Sequence, residues 1–120
     1  MTDVAGLVDR YIESWNETDP ERRRRLVAET FTDDGTYLDP LASGEGVDGI
    51  DTMIAAIQER FADHRFELVS EPDAHHDRVR FTWQLQAPNG GGAIATGYDF
   101  GTIADDGRLR SVTGFLETAA

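Results

Sequence analysis

Asp39 closes the run Thr36-Tyr37-Leu38-Asp39-Pro40, where strand-like alternation puts its carboxyl on the same face as the Tyr37 ring. A carboxylate so placed is either a residue that ends a strand and holds a turn, or a buried acid with a task. Asp99 lies in Gly97-Tyr98-Asp99-Phe100-Gly101. On a strand it shares its face with the two glycines, which would leave room beside it for a ligand. Moving a proton next to a carbonyl needs a base against the C–H and a donor at the oxygen that becomes negative. Burial disfavours the charged carboxylate and raises its pKa, toward values where the group can both take and return a proton. Two acids in different surroundings can then divide these roles. Asp39 and Asp99 are the candidate pair, and Tyr11 lies on a helix face that would line the same space. The structural alternatives are an ion pair of Asp99 with Arg78 or Arg80, and a core tyrosine at Tyr11 whose hydroxyl reaches the rim.

The elements that must position these groups follow from hydrophobic period. Val4, Leu7, Val8, Tyr11, Ile12 and Trp15 form one stripe of a first helix, which Thr2 or Asp3 can cap. Asp19-Pro20 reads as the start of a second helix that turns Leu26, Val27 and Phe31 inward and stops before Asp33-Asp34-Gly35. A strand holds Thr36 to Asp39, and Leu41 to Gly49 is a glycine-rich loop. Asp48 can cap a third helix carrying Ile50, Met53, Ile54, Ile57 and Phe61. The remainder alternates as strands: Arg65 to Glu71, Arg78 to Gln86, Ala93 to Ala104 and Leu109 to Glu117. Turns are expected at Pro72-Asp73, Pro88-Asn89-Gly90-Gly91-Gly92 and Asp105-Asp106-Gly107. Helices segregated from a mixed or antiparallel sheet make the class α+β, and a strongly curved sheet under three helices would enclose an apolar pocket. Residues 1–120 are expected to form one domain.

Composition narrows the function classes. The net charge is −12, and all 11 basic residues are arginine. That balance argues against nucleic acid and anionic membrane surfaces, and fits solubility or a salt-adapted or high-GC source. The run Arg22-Arg23-Arg24-Arg25 reads as a solvated helix face with Glu21 and Glu29 at i,i+4 spacing from Arg25. There is no cysteine, hence no disulfide and no thiol nucleophile. No apolar run reaches the length of a membrane span, and the first residues do not resemble a signal peptide, so a cytoplasmic location is the default. His64, His75 and His76 are expected to be exposed. Adjacent strand residues point to opposite faces, so His75 and His76 are not expected to ligate one metal easily.

Several short marks occur in order along nearly the whole chain. They are Arg10-Tyr11-Ile12-Glu13 with Trp15-Asn16 and Asp19, then Asp33-Asp34-Gly35-Thr36 leading to Asp39-Pro40. Gly46 and Gly49, Tyr98-Asp99 and Asp106-Gly107-Arg108-Leu109 follow. On these the chain resembles the nuclear transport factor 2-like superfamily, in its SnoaL-like (polyketide cyclase) and ketosteroid isomerase-like branches. The resemblance implies a cone-shaped fold with a deep apolar pocket, usually dimeric, here a homodimer through the exposed sheet face. It implies an oxyanion-donating tyrosine at Tyr11, a general-base aspartate at Asp39 and a protonated, donating aspartate at Asp99. In SnoaL-like cyclases the acid/base aspartate is on the later strands, again Asp99. Ketosteroid isomerase is a worked case of such tuning. The supporting tyrosines of those isomerases fall near Phe31 and Ile57, which have no donor, so proton transfer or cyclisation on a small apolar carbonyl compound is expected rather than steroid isomerisation. No cofactor is expected. Trp15, Tyr37, Met53, Ile57, Phe61, Arg80, Trp83 and Phe115 are the candidates to hold the ligand. A limonene epoxide hydrolase-like site would need an Asp-Arg-Asp set, and Arg80 is followed by Phe81-Thr82 instead. The other reading is a non-catalytic ligand-binding or dimerisation module with the same cone.

Overall fold

The computed structural model describes residues 3–118. Thr2, the alternative cap of the first helix, lies outside them. Asp3 takes that role: its Oδ1 accepts from the Gly6 N–H at 3.0 Å, and α1 runs Val4–Asn16. The predicted stripe faces inward, with Leu7, Val8, Tyr11 and Trp15 buried. Asp19 caps α2 (Pro20–Thr30) by accepting from the Arg22 N–H.

The chain passes from α2 straight into β1 (Phe31–Leu38). Phe31 therefore opens a strand rather than closing a helix, and Asp33-Asp34-Gly35 lies inside that strand instead of forming a turn. The pairing of β1 slips between Phe31 and Thr36, which is where those residues are absorbed. Within the predicted loop, Ser43–Glu45 forms β2, a short edge strand against β1. Helix α3 (Gly46–Arg60) begins before Asp48, which sits in its first turn and pairs with Arg24 rather than capping. The strand from Arg65 stops at Leu68 as β3 (Arg65–Leu68), and Asp73 belongs to β4 (Asp73–His75) rather than to a turn. β5 (Arg78–Gln86), β6 (Ala93–Ile103) and β7 (Leu109–Thr118) follow the predicted pattern closely.

The sheet is mixed and open, in the order β2-β1-β7-β6-β5-β3, with β4 added to β5 and β1 parallel to β7. Bulges in the β5–β6 and β6–β7 pairings add bend and twist. One face is covered by helices and carries Val79, Phe81, Trp83, Leu85, Asp99, Ile103, Leu109 and Val112, all buried. The other face carries Tyr98, Phe100 and Phe115, all exposed. This is the expected α+β arrangement of three helices over a mixed sheet. Arg108, in the last turn, ties the sheet to the helices by donating to the carbonyls of Ala28 and Phe31.

The arginine run is not a solvated face throughout. Arg23 is buried and bridges α2 to α3, donating from Nε to Asp51 at 2.8 Å and from Nη1 to Gln58 at 3.0 Å. Among the described residues no helix is long and apolar enough to cross a membrane. Removing one partner of a buried pair leaves the other charge uncompensated. Arg23→Ala should therefore cost about 3 kcal/mol, while Arg25→Ala should stay within about 0.5 kcal/mol. Urea unfolding of both variants measures the difference.

Candidate active site

The Asp99 carboxyl is the polar centre of the molecule's interior. β6 turns it inward, and it is 1% exposed. Its Oδ2 accepts from the Tyr11 hydroxyl at 2.7 Å and from the Trp83 Nε1–H at 3.0 Å. Its Oδ1 is buried and has no hydrogen-bond partner among the described residues. Neither Arg78 nor Arg80 pairs with it: they lie on the opposite face of β5 and pair with Asp77 and Asp73.

Register explains how Trp83 reaches this carboxyl. Trp83 stands directly across from Gly97, and a Cβ there would come within 2.0 Å of the indole. The room beside Asp99 that Gly97 was expected to leave for a ligand is thus filled by Trp83. At Gly101 the neighbours are Leu109 and Val79, within 3.1 Å of where a Cβ would be. The glycine that matters to the carboxyl is Gly114, across from Asp99 on β7. A Cβ at Gly114 would stand 2.7 Å from Asp99 Oδ1, 3.3 Å from Asp39 Cβ and 3.4 Å from Tyr37 Oη. Asp99, Asp39 and Tyr37 therefore converge on one small volume.

Asp39 lies just past the end of β1 and combines both readings of its sequence context. Its Oδ1 accepts from the Leu41 and Ala42 N–H groups, each at 2.8 Å, which makes the turn. Its Oδ2 accepts from the Tyr37 hydroxyl at 2.5 Å. The shared face of Tyr37 and Asp39 is thus a direct hydrogen bond.

A cavity of about 60 Å³ adjoins this group. Trp15, Tyr37, Asp39, Ile57, Phe61 and Trp83 line it, with Leu41, Phe66, Leu85, Ala95 and Leu116 completing the wall. Three candidates for ligand contact fall elsewhere. Arg80 and Phe115 point to the outer face because their strand parity puts them there, and Met53 is packed in the core. Tyr11 and Asp99 sit behind the lining rather than in it. Ordinary ligand sites hold about 300–1,000 Å³, so the cone is largely filled and the expected deep pocket is shallow. Two larger hollows, of about 420 and 360 Å³, open along the outer face near Arg80 and Phe100. Asp99 borders the first, but its carboxyl lies on the other side of the strand with Tyr11, so the chemistry belongs to the smaller cavity. Among the described residues no group of three or more His, Cys, Asp or Glu is placed to hold a metal.

The electrostatics follow from burial. Loss of water pushes the Asp99 carboxyl up to about 6; the Tyr11 and Trp83 bonds pull it down, and the Asp39 charge adds to the rise. Burial first, and then the Asp99 charge, hold the Tyr11 and Tyr37 hydroxyls well above the ordinary tyrosine value, so both remain donors. A carboxyl near neutrality with one oxygen held by two donors and the other unoccupied can exchange a proton through that second oxygen. Sequence reasoning did not assign Trp83 as a donor to Asp99, Tyr37 as a donor to Asp39, or Gly114 as the point of approach. The alternation of β5 and the pair Tyr37/Asp39 carried part of that signal; the register across strands did not show in the sequence.

The model of the SnoaL-like domain matches residues 8–112. The chain belongs to this family. A crystal structure of a provisionally named isomerase of the SnoaL-like family from Agrobacterium tumefaciens is 40% identical, with a TM-score of 0.89 over 93% of this chain and 95% of that one. A provisionally named polyketide cyclase from Sinorhizobium meliloti is 22% identical, with a TM-score of 0.71 over 93% of this chain and 95% of its own. A de novo designed protein with a curved β-sheet shares the fold at 13% identity and a TM-score of 0.72, over 98% of this chain and 88% of that one. No curated protein matches the sequence. The fold is the nuclear transport factor 2-like fold, and the family's named neighbours are of isomerase and cyclase type.

The pKa of Asp99 has a consequence for stability. Its folded value lies above the ordinary carboxylate value, so the protonated form favours the fold. The stability it contributes is complete below about pH 4 and is lost as pH rises through about 6. The rise from 3.8 to about 6 corresponds to about 3 kcal/mol. Asp99→Asn cannot ionise, yet its amide oxygen still accepts from Tyr11 and Trp83. It should therefore gain on the parent protein by roughly that amount between pH 4 and 8. Urea unfolding of both proteins across that range gives the difference, and a difference independent of pH would mean that Asp99 does not titrate there.

Proposed function

We propose that this protein is an isomerase- or cyclase-type enzyme that moves a proton on a small apolar carbonyl compound, using side-chain acid/base groups alone. Asp99 is its principal acid/base. The observation that carries this reading is the Asp99 carboxyl itself: buried, with its pKa raised to about 6 and with Oδ1 making no hydrogen bond among the described residues. As the carboxylate, it takes a proton from the carbon next to the carbonyl, and the negative charge moves to the carbonyl oxygen. As the acid, it returns the proton at a second carbon in an isomerisation, or, in a cyclisation, to the alkoxide oxygen formed on the carbonyl that the enolate carbon attacks. Tyr11 and Trp83 hold Oδ2, so they fix the carboxyl's orientation. Asp39 is already satisfied at both oxygens by Tyr37, Leu41 and Ala42. Its part is to hold the cavity rim and to keep negative charge near Asp99. The isomerase name of the Agrobacterium relative supports this class of reaction. Turnover requires the cavity to open further, because it is smaller than any ordinary substrate and because Asp99 Oδ1 lies behind its lining in the closed form.

The filled cone also favours a second reading, a non-catalytic binding or dimerisation module. The two readings separate on turnover. In a screen of enolisable ketones and polyketide-like lactones, Asp99→Asn should lower kcat/KM by a factor of roughly 100 to 10,000. Asp39→Asn should cost less than about tenfold. For the parent protein, kcat/KM should rise with pH through about 6 and then level off, since the free carboxylate is the base. Turnover insensitive to both substitutions would make the acid/base assignment wrong, and ligand binding without any turnover would leave the module.

The same proposal includes a homodimer through the outer sheet face, where Phe100 and Phe115 meet edge to face with ring centroids 6.3 Å apart and stand about half exposed. Light scattering should give twice the mass of one chain, and Phe100→Glu with Phe115→Glu should give the single-chain mass.

A further inference from the structure

β4 (Asp73–His75) and β5 (Arg78–Gln86) are joined by a two-residue turn, His76-Asp77, closed by the pair His75–Arg78. His76 takes φ 52°, in the left-handed region where such turns usually place glycine, asparagine or aspartate. The turn is anchored from outside itself: the Asp77 carbonyl accepts from the Ile103 N–H at 2.8 Å. Because His76 has left the strand, the rule that neighbouring strand residues face opposite ways does not hold for it. The two imidazoles come together, with Nδ1 3.1 Å from Nδ1, ring centroids 5.3 Å apart and planes crossed at 87°. The expectation that these two side chains diverge is thus corrected.

Two nitrogen lone pairs at that distance repel unless a positive centre stands with them. A proton does this when one Nδ1–H donates to the other Nδ1. Both residues are exposed, so each ring could bond to water instead, with no left-handed backbone at His76. That backbone conformation carries strain in a residue other than glycine, and strain of this kind collects at sites that use it. A metal ion is the other positive centre. With metal–nitrogen bonds of about 2.0–2.1 Å, nitrogens 3.1 Å apart subtend about 98° at the ion. This falls between the square-planar angle of about 90° and the tetrahedral one of about 109°. The exposed rings need only tilt for both lone pairs to meet at one point.

We propose that His75 and His76 chelate one divalent late first-row transition-metal ion, such as Cu²⁺ or Zn²⁺, through their Nδ1 atoms. Neutral imidazole suits these ions. Asp73 and Asp77, the carboxylates of the same hairpin, pair with Arg80 and Arg78. The protein therefore supplies two ligands, and water fills the other positions. Those ion pairs also offset the two arginine charges beside the site. The net charge of −12 concentrates cations at the surface. Two protein ligands are fewer than a closed structural site has, so the ion is exchangeable. The chelate lies at the end of β5 remote from Leu85, which lines the cavity, and it does not depend on the proton-transfer reading.

Calorimetric titration of the whole protein with copper(II), zinc and magnesium chlorides tests this, at about pH 7.5, where imidazole is mostly neutral. One equivalent of Cu²⁺ should bind, Zn²⁺ more weakly and Mg²⁺ not at all, as imidazole ligands order them. His76→Gly keeps a residue at ease in the left-handed turn, and His75→Ala leaves the turn residues untouched. Each should weaken Cu²⁺ by more than about tenfold, since even the loss of an outer-shell partner costs that much. His64→Ala should bind as the parent does. Zinc should move the Nδ1 signals of His75 and His76 together in ¹⁵N spectra and saturate at one equivalent. The proposal is overturned if Cu²⁺ does not bind, or if zinc reaches the rings through Nε2. It is overturned equally if Cu²⁺ binds both variants as it binds the parent, which would mean adventitious binding to the acidic surface.

Discussion

The interior of this protein is arranged around a carboxyl group that has been taken out of water. Burying a carboxylate is expensive unless its lone pairs are met, and Asp99 is met on one side only. Tyr11 and Trp83 hold Oδ2 from a helix and a neighbouring strand, and the pKa settles near neutrality as the balance of desolvation against those two bonds. Much of the surrounding packing serves that balance. Tyr11 meets Asp99 beside Phe81, which is paired with Asp99 in the sheet and packs edge to face on the Tyr11 ring with centroids 5.1 Å apart. Trp83 can reach Asp99 because Gly97 yields the space above its own strand.

The helices set the second half of the site. The end of α1 is pinned twice, by Asn16 on β3 and by Gln58 of α3 on the Trp15 and Glu17 carbonyls. These polar clasps fix the height of Trp15 over the sheet, and with it one wall of the cavity. The buried Arg23 bridge keeps α2 and α3 together behind that wall. Stability and site geometry therefore draw on the same few buried polar contacts, and the apolar core fills what they leave.

The sequence made the fold class legible because period is a local property. The stripe through Leu7, Val8, Tyr11 and Trp15 and the alternation through Val79, Phe81, Trp83 and Leu85 are visible without knowing any neighbour. Asp39 and Asp99 stood out for similar local reasons. What stayed hidden depends on register and strand parity across the sheet. Arg80 and Phe115 were expected at the ligand but face outward, since a single step along a strand reverses the face. Gly97 looked like open space until its partner across the ladder proved to be Trp83. The short β2 and β4 carry too little pattern to be read. Arg23 looked like one of four solvated charges because nothing in the helix itself says that Asp51 and Gln58 will face it.

The Tyr11–Asp99 bond joins positions 88 residues apart in the chain. The first half holds Tyr37 with Asp39 and the second holds Trp83 with Asp99, but the Tyr11–Asp99 bond forms only when the two halves meet. Each carries a polar group that is unfavourable to bury until the other half arrives. The group that equips the molecule for chemistry thereby also acts as a check on topology. A chain whose β6 slips by one residue turns the carboxyl to solvent and strands the tyrosine, so misregistered forms lose this contact altogether rather than weakening it by degrees.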